Sequence, residues 1–176
     1  VEVWTARGLV TYYVLFVMQL KTRPVHIAGV TTAPNGAYMK QVARNLTDVS
    51  DGFLLHSRYL IMDRDTKYTQ EFRDALDREG VKPVRCPVRA PNCNAFAERF
   101  VRSIREECLD RMILFGEASL RRALREYVLH FHTERNHQGV DNQLLKPLAT
   151  VSTTDEPIHC RERLGGMLKF YYREAA

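Results

Sequence analysis

The apolar positions of this 176-residue chain change period along its length. Residues 1–5 alternate apolar and polar, as a half-buried strand does. Ala6-Arg7-Gly8 is a turn, and residues 9–18, rich in valine, tyrosine and phenylalanine, read as a buried central strand. Lys21-Thr22-Arg23-Pro24 interrupts the run. A third strand then covers 25–30, with Pro24 at its start, where the missing N–H is tolerated. The short connections predict a meander. After the Ala33-Pro34-Asn35-Gly36 turn the spacing becomes helical over 37–49, with Met39, Val42, Ala43 and Leu46 on one face. Tyr59-Leu60-Ile61-Met62 is a short buried strand. Thr69 caps a helix that runs to Glu79 and is ended by Gly80, and 81–85 is the last strand. Strand–helix–strand units imply parallel pairing. The expected fold is α/β, with a mixed sheet of about five strands, antiparallel first and then parallel, flanked by helices.

Beyond that sheet, Pro87 and Pro91 mark a loop. A helix is predicted over about 94–112, with Ala97, Val101, Ile104 and Cys108 as its stripe. A second is predicted over about 118–133, with Leu120, Leu124, Tyr127, Val128 and Phe131 facing inward. Residues 1–149 are expected to form one domain, and 150–176 a linker and a basic-aromatic tail. The tail has two readings: an amphipathic segment packed on the body, or a nucleic-acid contact made by stacking and phosphate binding.

Charge narrows the partners. Lys and Arg number 26 against 21 Asp and Glu, a net charge of +5 with a pI near 9.1. The balance favours an anionic partner such as nucleic acid, although mild excesses also occur in proteins that bind none. Most of the excess is arginine, whose planar fork suits phosphate. The four cysteines form no CxxC pair, and His130 and His132 have no cysteine pair at zinc-finger spacing, so a structural zinc site is not expected. The disulfide reading is weak, which makes a reducing cytoplasm the default location. The apolar stretch 9–20 is too short and too polar to span a bilayer, and no signal peptide is visible. The chain opens on Val1 inside a strand pattern. Its natural beginning is therefore expected to lie upstream.

Two acids draw attention. Asp63 follows the strand 59–62, and Glu98 comes thirty-five positions later on a helix that presents arginines. An Asp after a strand is ordinarily a turn residue, and a Glu on a basic helix is ordinarily half of a surface ion pair. Their flanking residues are more specific. Asp63-Arg64-Asp65-Thr66-Lys67-Tyr68-Thr69 is similar to the (S)D-x-G-x-x-(F/Y)-T segment of DDE integrases and transposases, with Asp65 where glycine is usual. Asn94-Ala95-Phe96-Ala97-Glu98-Arg99-Phe100 is similar to their N-A-x-x-E-x-F segment, and Arg135-Asn136-His137 to a later basic or tyrosine residue, asparagine and histidine. The chain thus resembles bacterial insertion-sequence transposases and, more distantly, retroviral integrases.

That resemblance implies a ribonuclease-H-like fold and two-metal phosphoryl transfer on DNA, with Mg2+ or Mn2+ as cofactor and homo-oligomers as the working form. It implies that Asp63 and Glu98 are catalytic metal ligands. The family's first Asp has no counterpart in the chain, so this fragment is expected to be nearly inactive. Arg105 matches a basic position near the DNA backbone, and Arg102 shares its helical face. Their plain alternative is ion pairing with Glu98, Glu106 or Asp110. Lys67 and Arg89 are further phosphate candidates, or solvated surface charges. Asn94 reads as a helix cap, Asp65 as a turn residue, and His130, His132 and His137 as structural histidines. Two other functions stay open: a non-catalytic DNA-binding or assembly remnant of a transposase, and a ribonuclease-H-like nuclease for structured nucleic acid.

Overall fold

The computed structural model describes residues 1–88, 91–146 and 157–173. It is α/β, with eight strands and four α-helices among those residues. The first strands are β1 (Glu2–Thr5), β2 (Gly8–Thr11), β3 (Tyr13–Met18) and β4 (Val25–Thr31). They form two ladders, β1 with β2 and β3 with β4. A two-residue turn joins the first pair, a connection open only to antiparallel strands. The Val1 amino group and the Tyr12 N–H exchange bonds with each other's carbonyls at 2.9 and 2.7 Å. That exchange extends the β1–β2 ladder by one pair, and the single long strand expected over 9–18 is divided at Tyr12, where β2 ends and β3 begins.

Helix α1 (Gly36–Leu46) is capped by Asn35, whose side chain accepts from the Tyr38 N–H, and it buries the expected Met39, Val42, Ala43 and Leu46. Strand β5 (Tyr59–Met62) pairs in parallel with β6 (Lys82–Arg85), Tyr59 opposite Lys82 and Met62 opposite Arg85. Between them lies α2 (Gln70–Arg78). Its cap is Thr69, accepting from the Phe72 N–H at 3.3 Å, and Gly80 follows with φ +78°, a region that glycine enters without strain. Leu15, Met39, Val42, Ala43, Leu46, Leu54, Met62, Phe72, Leu76 and Val81 close into one core. The expected βαβ unit is present. The expected five-stranded sheet is not: among the described residues the ladders form four two-stranded sheets.

Helix α3 (Ala95–Glu107) ends five residues short of its expected limit of 112, because a 3-10 turn at Leu109–Arg111 replaces the last α-turn. Its inward stripe is Phe100, Ile104 and Cys108, while Val101 is 39 % exposed. The larger aromatic surface of Phe100 wins the inward position, and its ring lies 4.9 Å from that of Phe16. Helix α4 (Gly116–Thr133) buries Leu120, Leu124, Tyr127 and Phe131 as expected, together with His130 and His132. Strands β7 (His159–Arg163) and β8 (Leu168–Tyr172) form an antiparallel hairpin in the stretch expected to be a tail. Its turn contains Leu164, Gly165 and Gly166, all at positive φ.

The described chain divides into two compact units. One holds Val1, Val10–Val17 and His26–Phe100, the other Glu2–Leu9, Met18–Val25 and the chain from Val101 onward.

Candidate functional site

Asp63 is placed by the β5–β6 ladder. That ladder continues one residue past β6, where the Cys86 N–H donates to the carbonyl of Met62, the last residue of β5, at 2.9 Å. The Arg64 Nε donates to the Cys86 carbonyl at 3.0 Å and ties the next residue down as well. Asp63 is exposed, and its Oδ1 accepts from the Asp65 N–H at 3.1 Å. Asp65 repeats the device, accepting from the Lys67 N–H at 2.9 Å, and its other oxygen pairs with the Lys67 ammonium. Two aspartates therefore build successive side-chain turns that carry the chain to the α2 cap at Thr69. The bond from Lys67 is the main reason the Asp65 carboxyl titrates below its ordinary value. Burial, aided by the charges of Asp63 and Asp65, pushes the Tyr68 hydroxyl upward. A cleft of about 410 Å3 opens beside this turn, lined by Tyr13, Asn35, Gly36, Asp65, Lys67 and Thr69 among others.

Glu98 lies in the first turn of α3 and is exposed. A 3-10 turn, Pro91–Asn94, packs on β5 and leads directly into that helix. Asn94 is thus the end of the 3-10 turn. Arg102 and Arg105 follow on the exposed side of α3, and Arg105 approaches Asp110 at 3.6 Å with both side chains more than half exposed. Such a pair is weak and easily exchanged for another anion. Lys67 is committed to Asp65 and also sits 4.9 Å from the Tyr68 ring centre. Arg89 lies outside the described residues. Among the described residues no group of three His, Cys, Asp or Glu side chains could hold a metal ion.

The Arg135-Asn136-His137 run is built into the second unit. Arg135 grips Glu107 through two bonds of 2.7 and 3.1 Å, and Tyr127 donates to the same carboxylate at 3.0 Å. His137 bonds the Phe131 carbonyl through Nε2 at 2.6 Å. His132 Nε2 accepts the Val25 N–H at 2.9 Å, and His130 meets Glu134 at 3.0 Å. All three histidines have protein partners, as structural histidines do. Burial, helped by Lys146 and His137, lowers the His132 imidazole to about 4.

Sequence reading missed a second group altogether. Glu134, whose side chain is fully buried, receives Arg163 at 2.6 and 2.9 Å and Arg161 at 3.3 Å from the hairpin. Arg163 also reaches Glu126 at 2.9 Å. Burial works to raise the Glu134 carboxyl, but the bonds from Arg163, His130 and Arg161 outweigh it and hold the group at about 2. Lys169 pairs with Glu162 at 3.2 Å across the hairpin. The hairpin's Arg161, Arg163 and Lys169 are therefore engaged within the fold, in keeping with a segment packed on the body.

Residues 79–143 match the integrase core domain family, a stretch containing β6, α3 and α4. A chain in the cryo-EM structure of the simian T-cell lymphotropic virus intasome in complex with PP2A regulatory subunit B56 gamma is similar over 99 % of this chain, at 12 % identity and a TM-score of 0.55. The alignment covers 64 % of that chain, so the protein spans less than two thirds of its length. No curated protein matches the sequence. At such low identity the second likeness is one of fold, and it agrees with a ribonuclease-H-like α/β arrangement. The family match over residues 79–143 and the fold likeness together support an integrase/transposase catalytic core.

Proposed function

We propose that this chain carries the acidic, metal-holding part of a DNA transposase or integrase core, acting on DNA by metal-dependent phosphoryl transfer. One observation carries the reading. The integrase-core match contains Glu98, and the strand inside that match, β6, is the parallel partner of the strand that Asp63 follows.

Asp63 and Glu98 would hold Mg2+ or Mn2+. Both offer hard carboxylate oxygens on the surface, and Mg2+ is ordinarily held by one or two carboxylates together with waters and substrate phosphates. When bound, the cation activates the attacking oxygen and stabilises charge on the leaving one. The protein's own groups do the rest. The Asp65 N–H pins one oxygen of Asp63 and leaves the other outward. Glu98 stands in the first turn of α3. Arg102 and Arg105, with Arg89 and Lys67, contact the DNA backbone, and Arg105 exchanges its loose pairing with Asp110 for phosphate. DNA and further copies of the chain are the partners, and the ribonuclease-H-like frame positions the acids. Among the described residues no helix is long and apolar enough to cross a membrane.

A second reading, a DNA-binding or assembly module without catalysis, is favoured by the use of Asp63 as a turn acceptor. End-labelled duplex DNA incubated with the protein and Mn2+ separates the two. The catalytic reading expects faint nicked strands and 3′ ends joined to a target, since the family's first Asp has no counterpart in the chain, and both products lost in Asp63→Asn and in Glu98→Gln. DNA binding without either product supports the assembly module, and nicking without joining supports a nuclease. Products unchanged by both substitutions would overturn the assignment of the acids.

A further inference from the structure

Apolar side chains exposed one at a time are ordinary on a protein surface, but in the second unit four of them meet on one face. Strand β1 alternates, with Val3 fully buried and Glu2 and Trp4 turned outward. The segment 113–115 runs parallel beside it: the Trp4 N–H donates to the Leu114 carbonyl at 2.9 Å, and Trp4 stands opposite Phe115. The same alternation buries Leu114 and turns Ile113 and Phe115 out. On the other side of β1, the two-residue turn into β2 and the exchange between Val1 and Tyr12 set Leu9 opposite Trp4. Leu9, Trp4 and Phe115 thus form a row across three neighbouring segments, with Ile113 beside it. Trp4 is 51 % exposed, Leu9 49 %, and Ile113 and Phe115 69 % each.

We propose that this face docks on the same face of a second copy of the chain, giving a two-fold symmetric dimer. Area supports that occupant. At the exposures given, the four side chains offer roughly 400 Å2 of apolar surface. A standard interface buries about 800 Å2 per partner, of which a little over half, roughly 450 Å2, is apolar. The row therefore supplies most of the apolar share of one side. Charge supports it as well. Glu2 opens β1 and Arg7 lies in the turn that follows it; both are exposed, and neither enters an ion pair among the described residues. A two-fold axis running across the strands, along the row, stacks the two faces and reverses β1 between the copies. Trp4 and Phe115 then lie against their counterparts, and Glu2 of each copy meets Arg7 of the other. The proposal rests on the reading that copies of the chain are partners, and it names the surface at which they meet.

Sedimentation equilibrium of the full chain, from low to hundreds of micromolar and without DNA or metal, is the test. The expected result is a reversible dimer of twice the 20.4 kDa chain mass. Phe115→Ser should raise its dissociation constant at least about tenfold while the far-UV spectrum stays that of the wild type. Glu2→Arg and Arg7→Glu should each weaken the dimer several-fold, because each sets like charges against one another across the axis. Mixed in equal amounts, those two variants should pair about as tightly as the wild type, since every end then meets its opposite. That recovery rules out misfolding as the cause of the single losses. A monomer at every concentration, a dimer that Phe115→Ser leaves as tight, or a mixture that associates no better than its components would overturn the proposal. Because neither DNA nor metal is present, such a failure leaves the assignment of Asp63 and Glu98 untouched.

Discussion

Protonating His132 should loosen the second unit. Its Nε2 accepts the Val25 N–H at 2.9 Å, so that nitrogen must carry no proton in the folded state. The ring is 9 % exposed, and burial, Lys146 and His137 lower its folded value from 6.5 to about 4. The folded pKa lies below the unfolded one, so the unfolded chain binds the proton first as pH falls. Stability from this group is intact above 6.5 and is lost progressively between 6.5 and about 4. A shift of that size, at roughly 1.4 kcal/mol for each pH unit, amounts to about 3 kcal/mol. The assay is urea unfolding at a series of pH values for the wild type and for His132→Gln, whose amide oxygen can accept the same N–H but does not titrate. His26 and His137 are also lowered, chiefly by burial, but they titrate in both proteins and cancel in the comparison. The wild type should lose about 3 kcal/mol more than the variant between neutral pH and pH 4. Parallel profiles, or an imidazole titrating near 6.5 by NMR in the folded protein, would refute the reasoning.

The Arg163→Met substitution should destabilise by about 3–5 kcal/mol in urea unfolding, because Glu134 remains fully buried with its main partner removed. Replacing both residues, Arg163→Met with Glu134→Leu, should recover much of that loss, and an unrecovered double variant would count against the ion-pair account. Thr69→Ala should cost about 1 kcal/mol by removing the α2 cap, and Thr69→Ser should cost less, both read as shifts of the urea midpoint. If Arg102 and Arg105 contact phosphates, the double change to alanine should reduce the slope of log affinity for DNA against log salt by about 2, and an unchanged slope would exclude them.

Local structure was legible wherever a residue acts on its own neighbours. Thr69 and Gly80 bracket α2 because one accepts from the first turn and the other takes a positive φ, and neither role needs the rest of the fold. The α1 stripe was legible for the same reason, since period and burial coincide. Val101 was misplaced because two apolar neighbours compete for the interior of α3 and packing decides between them. The β7–β8 hairpin carried a visible turn signal in Gly165-Gly166. Its strand 159–163 hid behind charge, because Arg161 and Arg163 face a buried carboxylate in place of solvent. Nothing in the sequence marks Glu134 as buried, since that fact depends on chain segments distant from one another. Asp63 was legible as a residue that follows a strand, and its bond to the Asp65 N–H is the side-chain turn an aspartate makes with the backbone two residues on.

The central claim is that Asp63 and Glu98 share one cation. Titrating the 15N-labelled protein with Mn2+ tests it, because the ion broadens amide signals only in its vicinity. The account predicts that the signals around Asp63 and around Glu98 fade together at the same Mn2+ concentration, and that Asp63→Asn protects both. Broadening at one acid alone, or at both in the Asp63→Asn variant, would contradict it.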